Sequence, residues 1–366
     1  MDKPLPTLVH VAAYYPPHVG GLERVAAQLA HLLARRGSDV RVLTSSIGAE
    51  RGVATDGRLT VTRLASFEFA HTPIAPTLLL HLCALPKNSV IHFHLSQAYW
   101  PELVLFVAKL RHIPYVAHFH LDVAPSGSLG IVFRLYKKML WGPFLRNAAQ
   151  VVVFSSEQAA LVERKYRVEA NRIRVIPNGI ELSEQPARSY ERHRPLRLLF
   201  VGRLASQKRV ERLIETMAAL GVPASLTIVG DGEERRALEL LAKKLNVTSI
   251  TFAGAQPSSA VEQYYRDHDA LLISSDREGM PLAILEGMAA GLPIVGTDVV
   301  GIRELVSGAG ELVGEPYVRG FADVIERLYQ HPARLSQLSA DGLKKVAAFG
   351  WPKLVEEWER LYMALV

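Results

Sequence analysis

One alternation constrains this chain more than any other feature: short apolar strands and amphipathic helices take turns, stop, and begin again. Runs rich in β-branched and aromatic residues fall at 8–13, 40–44, 90–93, 115–119 and 151–154, with helical periodicity between several of them. The clearest helix is expected over 21–36, where Leu22, Val25, Leu29, Leu32 and Leu33 share a stripe. Strands that are apolar throughout and separated by helices imply a parallel sheet covered on both faces. Pro177-Asn178-Gly179 marks a turn, and the polar, proline-bearing stretch 181–195 reads as a linker. Beyond it strands are expected at 196–201, 226–229, 250–252, 270–273 and 293–296. Helices are expected at 210–220, 233–245, 258–267, 282–290 and 320–330. The fold class is therefore α/β, with two doubly wound, Rossmann-like domains, 1–185 and 186–350. Both sets of strand carboxyl ends are expected at an interdomain cleft, with the linker as a hinge.

Composition narrows the functional classes. The 366 residues are 49% hydrophobic and 21% charged, as in a packed soluble protein. A single cysteine, Cys83, excludes an intramolecular disulfide framework and suits a reducing compartment. The first residues enter a short strand and do not read as a signal peptide, and no apolar run is long enough to span a bilayer. A cytoplasmic location is expected, with peripheral attachment to the inner membrane face left open. Charge is uneven: residues 1–185 hold 20 Lys and Arg against 13 Asp and Glu, whereas the remainder hold 22 against 23. A basic first half points to an anionic partner or simply to a solvated surface. Aromatics and bases interleave over 133–141, which suits either an anionic membrane surface or an ordinary amphipathic helix. No nucleic-acid fold signature accompanies them.

Several motifs sit where strands end. Glu278 and Glu286 flank the apolar run Gly279-Met280-Pro281-Leu282, with the second carboxylate expected about two turns into a helix. Carboxylates at a strand end beside a helix N-terminus suit a ligand that offers both hydroxyls and phosphate. Gly20 and Gly21 follow the first strand and would allow close backbone approach to a phosphate, or form a plain tight turn. Arg203 and Lys208 place two cations at another strand end. Gly230-Asp231-Gly232 gives G-x-G, but Arg235 stands where the dinucleotide fingerprint needs its third glycine. The pairs His92/His94 and His118/His120 are read as pointing to opposite sides of an extended strand, which would prevent either pair from chelating one metal. His120, nearer the loop, is the better candidate for contact with a substrate. Asp267-His268-Asp269 precedes a strand and is read as solvated loop. No Cys/His cluster has zinc spacing, so no metal or other cofactor is expected.

Taken in order, these residues resemble the retaining GT-B glycosyltransferases of the fourth sequence family. The resemblance rests on Pro16–Pro17, Gly20–Gly21 and Glu23, then His120, Ser155, Pro177-Asn178-Gly179, and Gly202-Arg203-Leu204 with Lys208. It ends on Glu278, Glu286 and Gly291-Leu292-Pro293. It implies a hexosyltransferase that moves a sugar from a nucleoside diphosphate to a hydroxyl acceptor. Gly20 and Gly21 would approach the donor, and Arg203 and Lys208 would neutralise its pyrophosphate. Glu278 would hold sugar hydroxyls, the backbone of 279–282 would assist, and Glu286 would bind the ribose. Backbone near Gln256 would meet the base, and His120 would lie near sugar and acceptor. The segment 351–366 would form a terminal helix packing back on the first domain. The donor is expected to be a UDP-sugar, with GDP-mannose as the alternative. The acceptor could be lipid-linked or a cell-envelope glycan precursor. A sugar-nucleotide epimerase and a catalytically silent scaffold subunit share this architecture and are the competing readings.

Overall fold

The computed structural model describes residues 6–366 except 70, 71, 97, 122–135, 184 and 191–194. The chain forms two compact units, one of residues 1–178 with 352–366 and one of residues 179–351. Among the described residues no helix is long and apolar enough to cross a membrane.

The first unit is built on strands β1 (Thr7–Val11), β2 (Val40–Ser45), β3 (Gly52–Asp56), β4 (Leu59–Leu64), β7 (Ser89–Leu95), β8 (Tyr115–Phe119), β9 (Gln150–Val153) and β10 (Ile173–Val175). Their order across the sheet is β10-β9-β8-β7-β1-β2-β4-β3. Every pairing is parallel except the β3–β4 edge hairpin. The short strands β5 (Phe67–Phe69) and β6 (Thr72–Ile74) form a separate antiparallel pair.

Alternation along β7 shows how the sheet separates two environments. Ile91, Phe93 and Leu95 enter a core that also holds Trp100, Trp141, Phe119 and Phe144. His92 and His94 leave by the other face, joined there by His10 of β1 and by His118 and His120 of β8 and its end. The sheet register pairs His10 with His92 and His94 with His118. The expectation that His118 and His120, or His92 and His94, face opposite ways is therefore wrong. Side chains alternate with a period of two, so residues i and i+2 share a face.

The C-terminal helix Trp351–Met363 covers this histidine layer. Trp358 stacks on His92 at 4.7 Å between ring centroids, and the Tyr362 hydroxyl lies 2.5 Å from His92 Nδ1. Arg36 grips Glu359 with two hydrogen bonds, at 2.8 and 3.0 Å. All five imidazoles are buried. Burial pushes His10 and His120 from 6.5 down to about 3. It holds His92, His94 and His118 well below 6.5, with repulsion between neighbouring rings as the second cause.

The second unit has strands β11 (Leu196–Val201), β12 (Ala224–Val229), β13 (Ile250–Gly254), β14 (Ala270–Ile273), β15 (Ile294–Thr297) and β16 (Gly310–Val313). They lie in the order β13-β12-β11-β14-β15-β16, all parallel. This is the doubly wound order 3-2-1-4-5-6, in which the winding reverses between the first and fourth strands. The stretch expected to be a linker is fastened to this unit. Arg188 donates to the carbonyls of Tyr265, Arg266, His268 and Ala290, and its backbone N–H donates to Ser339 Oγ. A side chain that satisfies four carbonyls makes a poor hinge.

The histidine layer makes stability depend on pH in a definite direction. Unfolded, each ring titrates near 6.5, so the unfolded chain binds more protons below that value. The contribution is therefore complete above about pH 6.5 and is lost as pH falls toward about 3, by at most about 1.4 kcal/mol per pH unit for each ring. In chelator-containing buffer the thermal midpoint is expected to hold above about pH 6.5 and to fall steadily from there to about pH 5. His92→Gln should flatten that slope, and a slope equal to the parent's would remove the layer from the explanation.

Candidate active site

Because all six strands of the second unit run in parallel, their carboxyl ends emerge along one edge. The reversal point falls between β11 and β14, where the two flanking loops diverge and leave room for a ligand. From β11 comes the loop holding Gly202, Arg203 and Lys208. From β14 comes the loop from Ser274 to Glu278, followed by the helix Leu282–Ala289.

Lys208 Nζ donates to Glu278 Oε1 at 2.6 Å, across the reversal point. Ser275 Oγ donates to the same oxygen at 2.6 Å. The Glu278 side chain is 8% exposed and that of Lys208 24%, so the carboxylate is withdrawn from solvent while the lysine stays partly exposed. Further bonds stitch the loops together. Gln207 donates to the Arg277 carbonyl, Ser274 Oγ to the Lys208 carbonyl, and Arg212 to the Ser274 carbonyl. Arg212 also pairs with Asp276 at 2.6 Å. Lys208 and Glu278 are thus held from both sides, which limits the reorganisation needed when a ligand arrives.

The helix Leu282–Ala289 begins after Pro281, which has no side-chain acceptor to cap the first N–H groups. Glu286 is its fifth residue, little more than one turn in, where two turns were expected. The Tyr265 hydroxyl donates to Glu286 Oε2 at 2.8 Å. The helix ends in a Schellman motif: Leu292 N–H reaches the Gly287 carbonyl, Gly291 N–H reaches that of Met288, and Gly291 has φ +68°. The segment 291–293 thus has a structural reason to begin with glycine.

The remaining expected residues fall as follows. Arg203 is exposed and pairs with Glu233 at 3.1 Å, a geometry of small energetic weight in water. Gly230 follows β12 with φ +141°, and a Cβ there would lie 1.9 Å from the Gly202 carbonyl oxygen. A Cβ on Gly232 would lie 2.4 Å from the Leu204 carbonyl oxygen. Both glycines are therefore required by the packing of two protein loops. Gln256 follows β13 and donates to the carbonyl of Ala253 near the end of that strand. Gly279 and Met280 lie between Glu278 and the helix, with Met280 buried.

In the first unit, Gly20 is the N-cap of the helix Gly21–Arg35, in extended conformation. The Glu23 carboxylate folds back beneath it, 2.9 Å from His18 Nδ1. His120 follows β8, with Nε2 3.1 Å from His94 Nδ1. A cavity of about 560 Å³ in this unit is lined by Leu8, Arg36, Glu359 and Tyr362, at the start of β1 and so away from the strand carboxyl ends. Of the aromatic and basic stretch, 136–141 is described: Lys137 is buried with Nζ 4.3 Å from the Trp141 ring centroid, while Met139 and Leu140 are exposed. Lys137 therefore does not belong to a solvated basic face.

Sequence reasoning missed Ser275, Tyr265 and Gly301. Ser275 and Tyr265 lie far from any fingerprint, and only pairing across the fold links them to Glu278 and Glu286. Gly301 has φ +84°, and a Cβ there would lie 2.2 Å from the Glu278 carbonyl oxygen. Its place directly after Asp298-Val299-Val300, just past β15, was the available signal.

Comparison with known proteins agrees with this fold. The family model described as Glycosyltransferase Family 4 matches residues 19–184, and that described as Glycosyl transferases group 1 matches residues 183–345. A D-inositol 3-phosphate glycosyltransferase from Frankia alni is 26% identical over 91% of each chain. The solved structure of sucrose-phosphate synthase from Thermosynechococcus elongatus superimposes with a TM-score of 0.80 at 24% identity, covering 98% of this chain and 99% of that one. Anabaena HepE, solved in complex with UDP-glucose, superimposes with a TM-score of 0.78 at 16% identity over 99% of this chain and 100% of its own. The fold is GT-B. The chain belongs to the group 1 glycosyltransferases and is a glycosyltransferase.

Two substitutions test the site's framework without reference to substrate. Gly230→Ala is expected to lower stability by more than about 1 kcal/mol, because it adds strain at a positive φ to a backbone clash. Ser275→Ala should cost about 1.5–3 kcal/mol, the range for a hydrogen bond to a charged group. Midpoints of urea unfolding check both, and unchanged midpoints would refute the packing described.

Proposed function

We propose that this protein is a retaining glycosyltransferase that moves a hexose or N-acetylhexosamine from a UDP-sugar to a hydroxyl acceptor of anionic character. The observation that carries the reading is the Lys208–Glu278 pair at the reversal point of the second unit's sheet, next to the uncapped start of Leu282–Ala289. One group there is suited to a departing diphosphate and the other to sugar hydroxyls. HepE was solved with UDP-glucose, which supports a UDP donor. The Frankia relative is named for a phosphorylated acceptor, and the basic first half of this chain is suited to one. A lipid-linked or cell-envelope precursor, met at the inner membrane face, belongs to the same acceptor class.

The roles follow from charge and position. As the bond between sugar C1 and the diphosphate oxygen breaks, negative charge grows on the phosphate and positive charge on the sugar. Lys208, Arg203 and the first N–H groups of Leu282–Ala289 stabilise the phosphate. Glu278 orients sugar hydroxyls, with backbone from Gly279 to Leu282 around it. Glu286, steadied by Tyr265, holds the ribose, and the loop at Gln256 meets the base, with Gly230 shaping the neighbouring loop. Gly20, Gly21 and His120 serve the sugar and acceptor from the first unit. The acceptor oxygen bonds to C1 on the face the diphosphate leaves, and its proton passes to the leaving phosphate oxygen. Glu278, already engaged by Lys208 and Ser275, is a sugar ligand and not a covalent nucleophile of the glycosidase kind.

The test is release of nucleoside diphosphate from a panel of UDP-, GDP- and ADP-sugars without acceptor. Slow hydrolysis of a UDP-sugar is expected, reduced about 10²-fold or more in Lys208→Ala and in Glu278→Ala. Hydrolysis of GDP-mannose alone would replace the donor, and epimerised sugar nucleotide would replace the reaction. Absence of binding across the panel by calorimetry would overturn the proposal.

A further inference from the structure

The five buried histidines of the first unit take no part in the transfer chemistry except through His120, and they are arranged as a metal site would be. His94, His118 and His120 each bring one ring nitrogen to within 4.8 Å of the others. His94 Nδ1 and His120 Nε2 are 3.1 Å apart. Two imidazole nitrogens on one tetrahedral zinc are about 3.3 Å apart, given Zn–N bonds of about 2.0–2.1 Å. His118 Nε2 is buried and has no hydrogen-bond partner. A buried polar atom in that condition costs about 1–3 kcal/mol unless something satisfies it.

The outer nitrogens of His118 and His94 are also accounted for. His118 Nδ1 is 3.1 Å from His92 Nε2, and His92 Nδ1 in turn is 2.5 Å from the Tyr362 hydroxyl. His94 Nε2 is 3.2 Å from His10 Nδ1. Metal-bound histidines characteristically use the second ring nitrogen in a hydrogen bond that fixes tautomer and orientation. His10 and His92 are placed to do this.

We propose that His94, His118 and His120 bind one divalent transition-metal ion, with His10 and His92 as the outer partners that orient His94 and His118. Three imidazoles with no carboxylate or thiolate among them select zinc, nickel or copper over magnesium or calcium. The three nitrogens lie within 4.8 Å of one another, and the rings draw together as the ion enters. The fourth position takes water or a small anion, as in three-histidine zinc sites. The ion clamps the ends of β7 and β8 under the C-terminal helix. The alternative triad His10, His92 and His94 offers the same donors. It fits less well, because His92 stacks flat on His94, with 4.3 Å between centroids and 16° between planes, so their in-plane lone pairs run side by side.

The experiment uses the tag-free full chain, stripped with chelator, and reads binding without reference to activity. Zn²⁺ is measured by equilibrium dialysis with elemental analysis, and Co²⁺ by its visible absorption. One equivalent per chain with a tetrahedral Co²⁺ spectrum is expected, and Zn²⁺ should raise the thermal midpoint until chelator reverses it. His120→Asn is the principal variant, since its ring is the most exposed of the five, and it should weaken binding about tenfold or more. His92→Gln should weaken it by about 10–100-fold, the range for outer-shell partners. The surface variant His81→Asn should change nothing. Absence of a stoichiometric ion together with an unshifted midpoint in the parent chain would overturn the site. Binding lost in His10→Asn but kept in His118→Asn and His120→Asn would overturn the assignment of ligands.

Discussion

Everything that positions the candidate active site follows from parallel pairing. A parallel strand must be left and re-entered by a crossover, so all strands of a doubly wound sheet end on the same edge. When the winding changes direction, the loops on either side of the change turn away from each other. In the second unit that happens between β11 and β14. The chain has put its buried Lys208–Glu278 pair at that point. An ion pair this withdrawn from water contributes little to stability, because desolvation offsets most of its attraction. Its presence at the one place the topology leaves open for a ligand makes sense as preparation for chemistry.

The glycines tell a related story. Gly230, Gly232 and Gly301 each sit where a Cβ would strike the backbone of a neighbouring loop, at Gly202, Leu204 and Glu278 respectively. Close loop packing gives the strand-end edge its rigidity, and glycine is what permits it. The G-x-G spacing therefore records contact between parts of the protein. Under the proposed function, a ligand benefits from these residues through the fixed positions of Lys208 and Glu278.

Much of this was legible beforehand, for physical reasons. Strands buried on both faces must be apolar throughout, so the alternation with helices announced two doubly wound units. Glu278 and Glu286 stood out because carboxylates are rare beside such apolar runs. Less could be read where the partner lies far away in sequence. Ser275 and Tyr265 look ordinary until the fold brings them to Glu278 and Glu286. Arg188 looks like one more polar residue of a linker, yet it binds four carbonyls drawn from two distant segments. Residues 133–135, at the start of the stretch where membrane contact was expected, lie outside the described residues. The histidine reading failed differently. The period of a strand was misapplied, and the sequence itself contained the right answer: H-x-H repeated on neighbouring strands puts four rings on one face.

That face poses an energetic question the transfer reaction does not answer. A sheet face under a C-terminal helix is ordinarily filled with aliphatic side chains, as the opposite face of β7 is by Ile91, Phe93 and Leu95. Five imidazoles fill the same space less well. Each buries two nitrogens that water would have satisfied, and two of those nitrogens, on His10 and His118, find no partner within the protein. Apolar side chains at His10 and His118 would avoid that cost and reduce the sensitivity to acid. A residue set that is worse than its apolar replacement for packing must be justified by something packing does not measure. Hydrogen bonding between the rings explains part of it. Yet an imidazole chain needs one proton per contact, and it leaves its terminal nitrogens exposed to the same penalty. An ion held by His94, His118 and His120 takes up the His118 Nε2 lone pair that the ring contacts leave idle.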